Sequence, residues 1–284
     1  PIEKLSVTCF EGDKSTPKDE ESEKVWESLG IKKIKFLGKE NNWWGPAGKT
    51  GPCGPDTEIF YDGIEIGNDV LMQYTKDENG KYIPAKQKNI DFGGGVERIL
   101  AVHNHLEDDY LTDSFLPIIK EIEKISRKSY KENQKTMRII ADHAKASVFI
   151  LAEDIAPSNT EHGYVLRRLI RRASRYGREL NISGFLTQLV EPVIKIYGED
   201  YSQLKRNKEF IIEELKKEEE KFEQTLEKGL RKLKEFISEG NNLCGKDAFL
   251  LYQSYGFPIE MIKEEVEKLG KKFPQKECTL EMEK

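Results

Sequence analysis

The segment NIDFGGGVERILAV, Asn89 to Val102, is a β-type run that ends at three glycines and turns directly into an amphipathic helix. Such a junction leaves the backbone open to a ligand, because no Cβ stands in the way. Arg98, one turn into the helix, carries a planar and permanently charged fork suited to a polyphosphate. Asp91, just before the glycines, offers a carboxylate to an ammonium group, a charge-assisted contact of roughly 1.5 to 3 kcal/mol. The segment is not a dinucleotide fingerprint: G-x-G-x-x-G needs glycine at position 98, where Arg98 stands.

Upstream, the stretch from Ile34 to Ile90 reads as β-rich, with strands at Thr57 to Tyr61, Ile64 to Thr75 and Tyr82 to Ile90. Asn79-Gly80 is a hairpin signal between the last two, so an antiparallel meander is expected. The chain opens on another strand-like run, KLSVTCF. Between them, NNWWGPAGKTGPCGPDTEIFYD (Asn41 to Asp62) packs four glycines and three prolines into a loop that runs into a strand. Glycines admit a ligand to the backbone, prolines freeze the path, and Trp43-Trp44 supply flat walls for a small pocket. With Trp44 facing that pocket, Trp43 is expected in the core. Gly48-Lys49-Thr50 is not a phosphate loop: its first glycine would fall at Trp43, and Gly51, Pro52, Gly54 and Pro55 block the helix that must follow.

Downstream, helical periodicity dominates from Leu116, with segments at Met137 to Ala152, Gly163 to Leu180 and Phe185 to Tyr197. A long charged helix is expected from Tyr201 to Glu239, its apolar stripe (Ile211, Leu215, Phe222, Leu226, Leu230, Leu233, Ile237) requiring a partner surface. A small helical piece, Lys246 to Gly270, follows it. The class is α+β, with β mostly first. A polar shift at SRKSYKENQ (Ser126 to Gln134) suggests domains at 1–128, 129–240 and 241–284.

GYVLRRLIRRASRYGR (Gly163 to Arg178) holds six arginines and no acid. Arg167, Arg171, Arg175 and Arg178 fall on one face and Leu166, Leu169, Ile170 and Ala173 on the other, a basic ridge suited to phosphate contacts. A face salt-bridged to the acidic helices is the competing arrangement. The net charge of −5 over 284 residues argues against indiscriminate nucleic-acid coating. Three Trp, eleven Tyr and thirteen Phe argue against general disorder. Four scattered cysteines and four histidines without metal spacing suggest neither disulfide framework nor zinc site. No run of eighteen apolar residues and no charged-then-apolar leader occurs, so a cytoplasmic protein without a membrane span is expected.

Asp91 to Arg98 (DFGGGVER) resembles motif 3 of class II aminoacyl-tRNA synthetases, and TGPCGPDTEIFYD (Thr50 to Asp62) resembles the alanyl family in particular. RIIADHAKASVFILAEDIAPSNTEHGYVLRRLIRRASRYG (Arg138 to Gly177) and LLYQSYGFPIEM (Leu250 to Met261) are similar to that family's tRNA-recognition region. The resemblance implies a partial class II antiparallel sheet followed by an all-α tRNA-recognition domain. It also implies ATP-dependent ligation of alanine to tRNA(Ala) through alanyl-adenylate, with ATP and Mg2+ and no zinc in this chain. Carried over by position, Asp91 holds the alanine ammonium, while Trp44, Asn68, Val70 and Gly93 line the amino-acid pocket. Gly93 and Gly95 admit ATP, and Arg98 binds its phosphates. The family reads a G·U pair in the acceptor stem through an Asn and an Asp. Asn159 matches the first, but Gln253 stands where the Asp belongs, and a neutral amide that donates and accepts leaves the strictness of that reading in doubt. Arg167, Arg168, Arg171 and Arg172 are the expected tRNA phosphate contacts.

Nothing before Ile34 resembles motifs 1 and 2, so the N-terminal catalytic portion is expected in the same protein or a separate subunit, and this chain alone is expected to be inactive. The family's editing module is also not found, and mischarging with glycine or serine is expected unless editing acts in trans. A non-catalytic RNA-binding module derived from such an enzyme is the alternative.

Overall fold

The computed structural model describes residues 1–238 and 243–282. The chain divides into two units, Pro1–Thr112 and Asp113–Lys284. The polar stretch at 126–134 falls inside the second unit, where Arg127 makes a left-handed turn (φ 57°) between two helices. Glu239 and the boundary expected at 240/241 lie outside the described residues.

The first unit contains β1 (Leu5–Phe10), α1 (Glu20–Ser28), β2 (Ile34–Leu37), β3 (Trp43–Trp44), β4 (Gly51–Tyr61), β5 (Ile64–Lys76), β6 (Tyr82–Gly94) and α2 (Val96–His103). The sheet runs in the order β2-β1-β4-β5-β6, with β3 added on β4. The expected meander is present as β4-β5-β6, all antiparallel. The sheet as a whole is mixed, because β1 and β2 pair in parallel and α1 forms the crossover between them. Asp62 and Gly63, both at positive φ, make the tight turn from β4 to β5.

Strand structure starts at Gly51, earlier than expected, in spite of Pro52 and Pro55. A register irregularity between Cys53 and Asp56 interrupts the β4–β5 ladder where Pro55 lies, so the absent N–H costs little there. α1 covers one face of the sheet: Trp26 Nε1 donates to Thr57 Oγ1 at 2.9 Å. Asp19 caps α1 by accepting from the Ser22 backbone N–H at 3.1 Å.

The second unit is helical: α3 (Leu116–Ser126), α4 (Gln134–Ala152), α5 (Glu161–Glu179), α6 (Val190–Tyr197), α7 (Ser202–Arg206), α8 (Lys208–Ser238), α9 (Gly245–Tyr255), α10 (Ile259–Lys268) and α11 (Gln275–Met282). The long charged helix begins at Lys208 rather than Tyr201, because Asn207 leaves the helical path and its Nδ2 donates to the Ala152 carbonyl at 2.8 Å. Its stripe is buried as periodicity requires, with Ile211, Leu215, Phe222, Leu226 and Leu233 almost inaccessible. Phe222 and Leu226 join Leu251, Phe257, Met261, Ile262 and Val266 in one apolar cluster that unites α8, α9 and α10.

Candidate functional site

In the first unit, side chains directly opposite on paired strands share a face, and successive residues alternate. The register therefore sets Asp56, Val70 and Asp91 in one row across β4, β5 and β6, and Glu58, Asn68 and Gly93 in the next. Both rows lie on the face opposite Thr57, and hence opposite α1. Sequence reasoning named Asn68, Val70, Asp91 and Gly93, and one sheet face brings the four together. Val70 is buried, while Asp91 is exposed and has no hydrogen-bond or ion-pair partner among the described residues.

Gly93 leaves room for the Asn68 side chain. A Cβ there would stand 2.8 Å from Asn68 Oδ1, so any side chain would push the Asn68 amide aside. The strand then turns through Gly95, the N-cap of α2. Arg98 donates from one guanidinium nitrogen to the Glu65 carboxylate at 2.8 Å and to the Glu65 carbonyl at 3.2 Å. Both side chains are substantially exposed, and such pairs contribute about 0 to 1 kcal/mol, so an anion of higher charge can displace Glu65.

Sequence reasoning missed a polar layer beside this surface. Asn42 is fully buried and its Nδ2 donates to Thr8 Oγ1 at 2.8 Å, the Asp56 carboxylate at 3.0 Å and the Asp56 carbonyl at 3.1 Å. Thr8 in turn donates to Glu58 at 3.1 Å. Burial pushes the Asp56 carboxyl up to about 6, with the Asn42 hydrogen bond opposing it. Burial also raises the Glu58 carboxyl. The available signal was the spacing of Asp56 and Glu58, two apart like Asn68 and Val70.

The two tryptophans face opposite ways. Trp43 packs against Phe10, Tyr74 and Tyr82 with ring centroids 5.3, 5.8 and 5.1 Å away, whereas Trp44 is 38% exposed. Trp44 pairs with Gly54, two residues before Asp56 on β4.

In the second unit, Asn159 lies exposed just before α5 and its Oδ1 accepts from Arg167. Gln253 is exposed on α9. Arg167 and Tyr252, the residue beside Gln253, line one small cleft with Tyr164 and Gly256, which links the start of α5 to the end of α9. Burial and a hydrogen bond with Tyr252 push the Tyr164 hydroxyl up to about 12.

The arginine helix departs from the expected open ridge. Arg171 is buried, donating from Nε to Glu218 at 2.6 Å and from Nη1 to the Gly256 carbonyl at 2.6 Å. Gly256 holds the left-handed C-cap of α9 (φ 64°), and a Cβ there would collide with that guanidinium. Arg175 is buried against Glu265, Arg172 meets Glu264 at 2.6 Å, Arg168 meets Glu260 and Arg178 meets Glu227 at 2.9 Å. The arginines therefore fasten α5 to α8 and α10, because acids from those helices reach them; of the four expected contacts Arg171 is buried, Arg167, Arg168 and Arg172 are half-buried, and Arg167 makes no ion pair among the described residues.

No trio of metal-ligating side chains converges among the described residues. Among the described residues no helix is long and apolar enough to cross a membrane.

Residues 1–284 match the model of the tRNA synthetases class II (A), and the chain belongs to that family. Within it, the chain is 47% identical to the alanine–tRNA ligase of Borrelia garinii subsp. bavariensis over 93% of its own length and 49% of that protein. It is likewise 47% identical to the alanine–tRNA ligase of Borreliella burgdorferi (95% and 51%) and 41% identical to that of Treponema pallidum (92% and 48%). The chain spans about half the length of these curated relatives.

Proposed function

We propose that this chain is the part of an alanine–tRNA ligase that supplies the alanine pocket, the motif 3 edge of the ATP site and acceptor-stem recognition. The observation that carries the reading is the single sheet face shared by Asn68, Val70, Asp91 and Gly93, ending in the glycine turn to Arg98. Asp91, without a partner among the described residues, receives the alanine ammonium; Val70 forms an apolar floor, Asn68 a polar side and Trp44 a wall. An attacking alanine carboxylate oxygen bonds to the ATP α-phosphorus as pyrophosphate leaves, giving alanyl-adenylate. The acyl group then passes to a tRNA 3′-terminal hydroxyl and AMP leaves. No protein nucleophile is involved, and the chain's contribution is positioning and charge compensation. Gly93 and Gly95 let ATP lie close, and Arg98 exchanges Glu65 for phosphate oxygens. A magnesium ion carried by ATP would add phosphate-charge neutralisation.

In the helical unit, Asn159 and Gln253 contact the acceptor stem, with Arg167 and Arg168 on its phosphates. The assignment of 1–128 to catalysis and of 129–240 and 241–284 to tRNA recognition belongs to the same proposal.

The test is alanine-dependent ATP–pyrophosphate exchange by the enzyme that contains this chain. Gly93→Ala, which displaces Asn68, is expected to raise the alanine KM about tenfold, equivalent to one lost hydrogen bond of roughly 1.4 kcal/mol. Asp91→Ala is expected to abolish exchange. Exchange unaffected by both variants would overturn the pocket, and absence of exchange in the parent enzyme would favour the non-catalytic RNA-binding alternative.

A further inference from the structure

Lys39 lies in none of the motifs discussed above, yet its ammonium is held on several sides. It sits 4.5 Å from the Trp43 ring centroid, 4.2 Å from that of Tyr82 and 6.0 Å from that of Phe10. It also makes an ion pair with Asp13 at 2.7 Å and donates to Ser15 Oγ at 2.8 Å. Asp13 is itself fixed, because its other oxygen accepts from the Ser15 and Thr16 backbone N–H groups at 2.7 and 2.9 Å and from both hydroxyls. One cation thus joins the segment after β1, the tryptophan segment and the first residue of β6, the strand that carries Asp91 further along.

β3 has only two residues, paired with Pro55 and Gly54 of β4. Pro55 has no N–H to give, so the ladder alone holds β3 weakly. Side chains of successive strand residues point to opposite faces. Whatever fixes the Trp43 ring therefore also fixes the direction of Trp44, and the ring is fixed by three aromatic neighbours and one ammonium.

We propose that Lys39 is a positioning residue for the amino-acid pocket: caged by Trp43 and Tyr82 and anchored on Asp13, it locks β3 so that Trp44 is presented toward the substrate. This rests on the alanine pocket proposed above. Arginine can also make a cation–π contact and an ion pair, whereas an apolar side chain of similar length can make neither.

Pyrophosphate exchange by the enzyme that contains this chain separates the possibilities. Lys39→Met is expected to raise the alanine KM about tenfold, with kcat and the ATP KM within about twofold, as expected for a misplaced binding wall. Lys39→Arg is expected to recover the alanine KM to within about threefold of the parent. Trp44→Ala serves as the reference for the pocket. An unchanged alanine KM in Lys39→Met, beside a raised one in Trp44→Ala, overturns the role of Lys39 and leaves the pocket standing. An alanine KM unmoved by both Trp44→Ala and Asp91→Ala overturns the pocket and this role together. Equal losses for ATP and alanine in Lys39→Met and Lys39→Arg alike show a merely structural lysine and also overturn it. Should Lys39→Met fail to fold, Asp13→Asn, which removes only the anchoring charge, is read by the same outcomes.

Discussion

Arg171 is a residue whose surroundings invert its apparent purpose. Helical periodicity sets it beside Arg167, Arg175 and Arg178, and a sequence offers no reason to treat the four differently. Its partner Glu218 lies 47 residues away, and those of Arg168 and Arg172 lie 92 residues away, beyond the reach of any local pattern. Burial lowers the Arg171 pKa while Glu218 opposes the change. Removing one member of such a pair strands the other, so Arg171→Ala is expected to destabilise the helical unit by about 3 to 5 kcal/mol in urea unfolding. Arg171→Met combined with Glu218→Leu is expected to recover most of that loss, and failure to recover would show that the guanidinium has another essential contact. Asp91 and Gly93 were legible as candidates because both stand in DFGGGVER, and Asn68 only by its position in the family resemblance. Asn42, Asp56 and Lys39 were not, because their importance comes from strand register and loop packing.

At the scale of elements, α8 shows what a hydrophobic stripe reveals and what it conceals. The stripe located the buried face correctly, but Glu219, 1% exposed, also lies in it. Its carboxylate accepts from the Phe185 and Leu186 backbone N–H groups, both at 3.2 Å, and Glu223 takes the Gly184 N–H at 2.9 Å. Two acids thus hold the turn that leads into α6. Burial pushes Glu219 from 4.5 to about 7, with the two backbone hydrogen bonds opposing. The folded chain therefore binds this proton more tightly than the unfolded chain. Between about pH 7 and 4.5 the contribution of Glu219 to stability increases as pH falls, and it is lost as pH rises through 7. Glu219→Gln is expected to stabilise the fold above pH 7.5, by on the order of 2 kcal/mol, and to change little at pH 4.5. Thermal unfolding at the two pH values checks the difference. The meander was legible from its turns and alternation; the parallel β1–β2 pair was not, because a crossover through α1 leaves no short-range turn signal.

For the molecule as a whole, the ion-paired arginines set what the proposed acceptor-stem binding should look like. An open ridge of six arginines would release about five counterions on binding a duplex stem, whereas Arg167, which alone of the six makes no ion pair among the described residues, gives a slope of log K against log salt of about −1. Titrating an acceptor-stem hairpin of tRNA(Ala) against the enzyme that contains this chain, from 50 to 200 mM salt, distinguishes the two. A slope near −5 would mean that the Glu partners on α8 and α10 give way to phosphate. The first unit carries a different exposure. β6 is thirteen residues long and pairs with β5 alone among the described strands, while Ile90 and Phe92 on it are 71% and 61% exposed. A long open margin of backbone donors and acceptors, with greasy side chains beside it, is a template for any extended chain. Handled as an isolated segment, this protein carries its main aggregation hazard along that margin, and a lysine in place of Ile90 is the simplest guard against it.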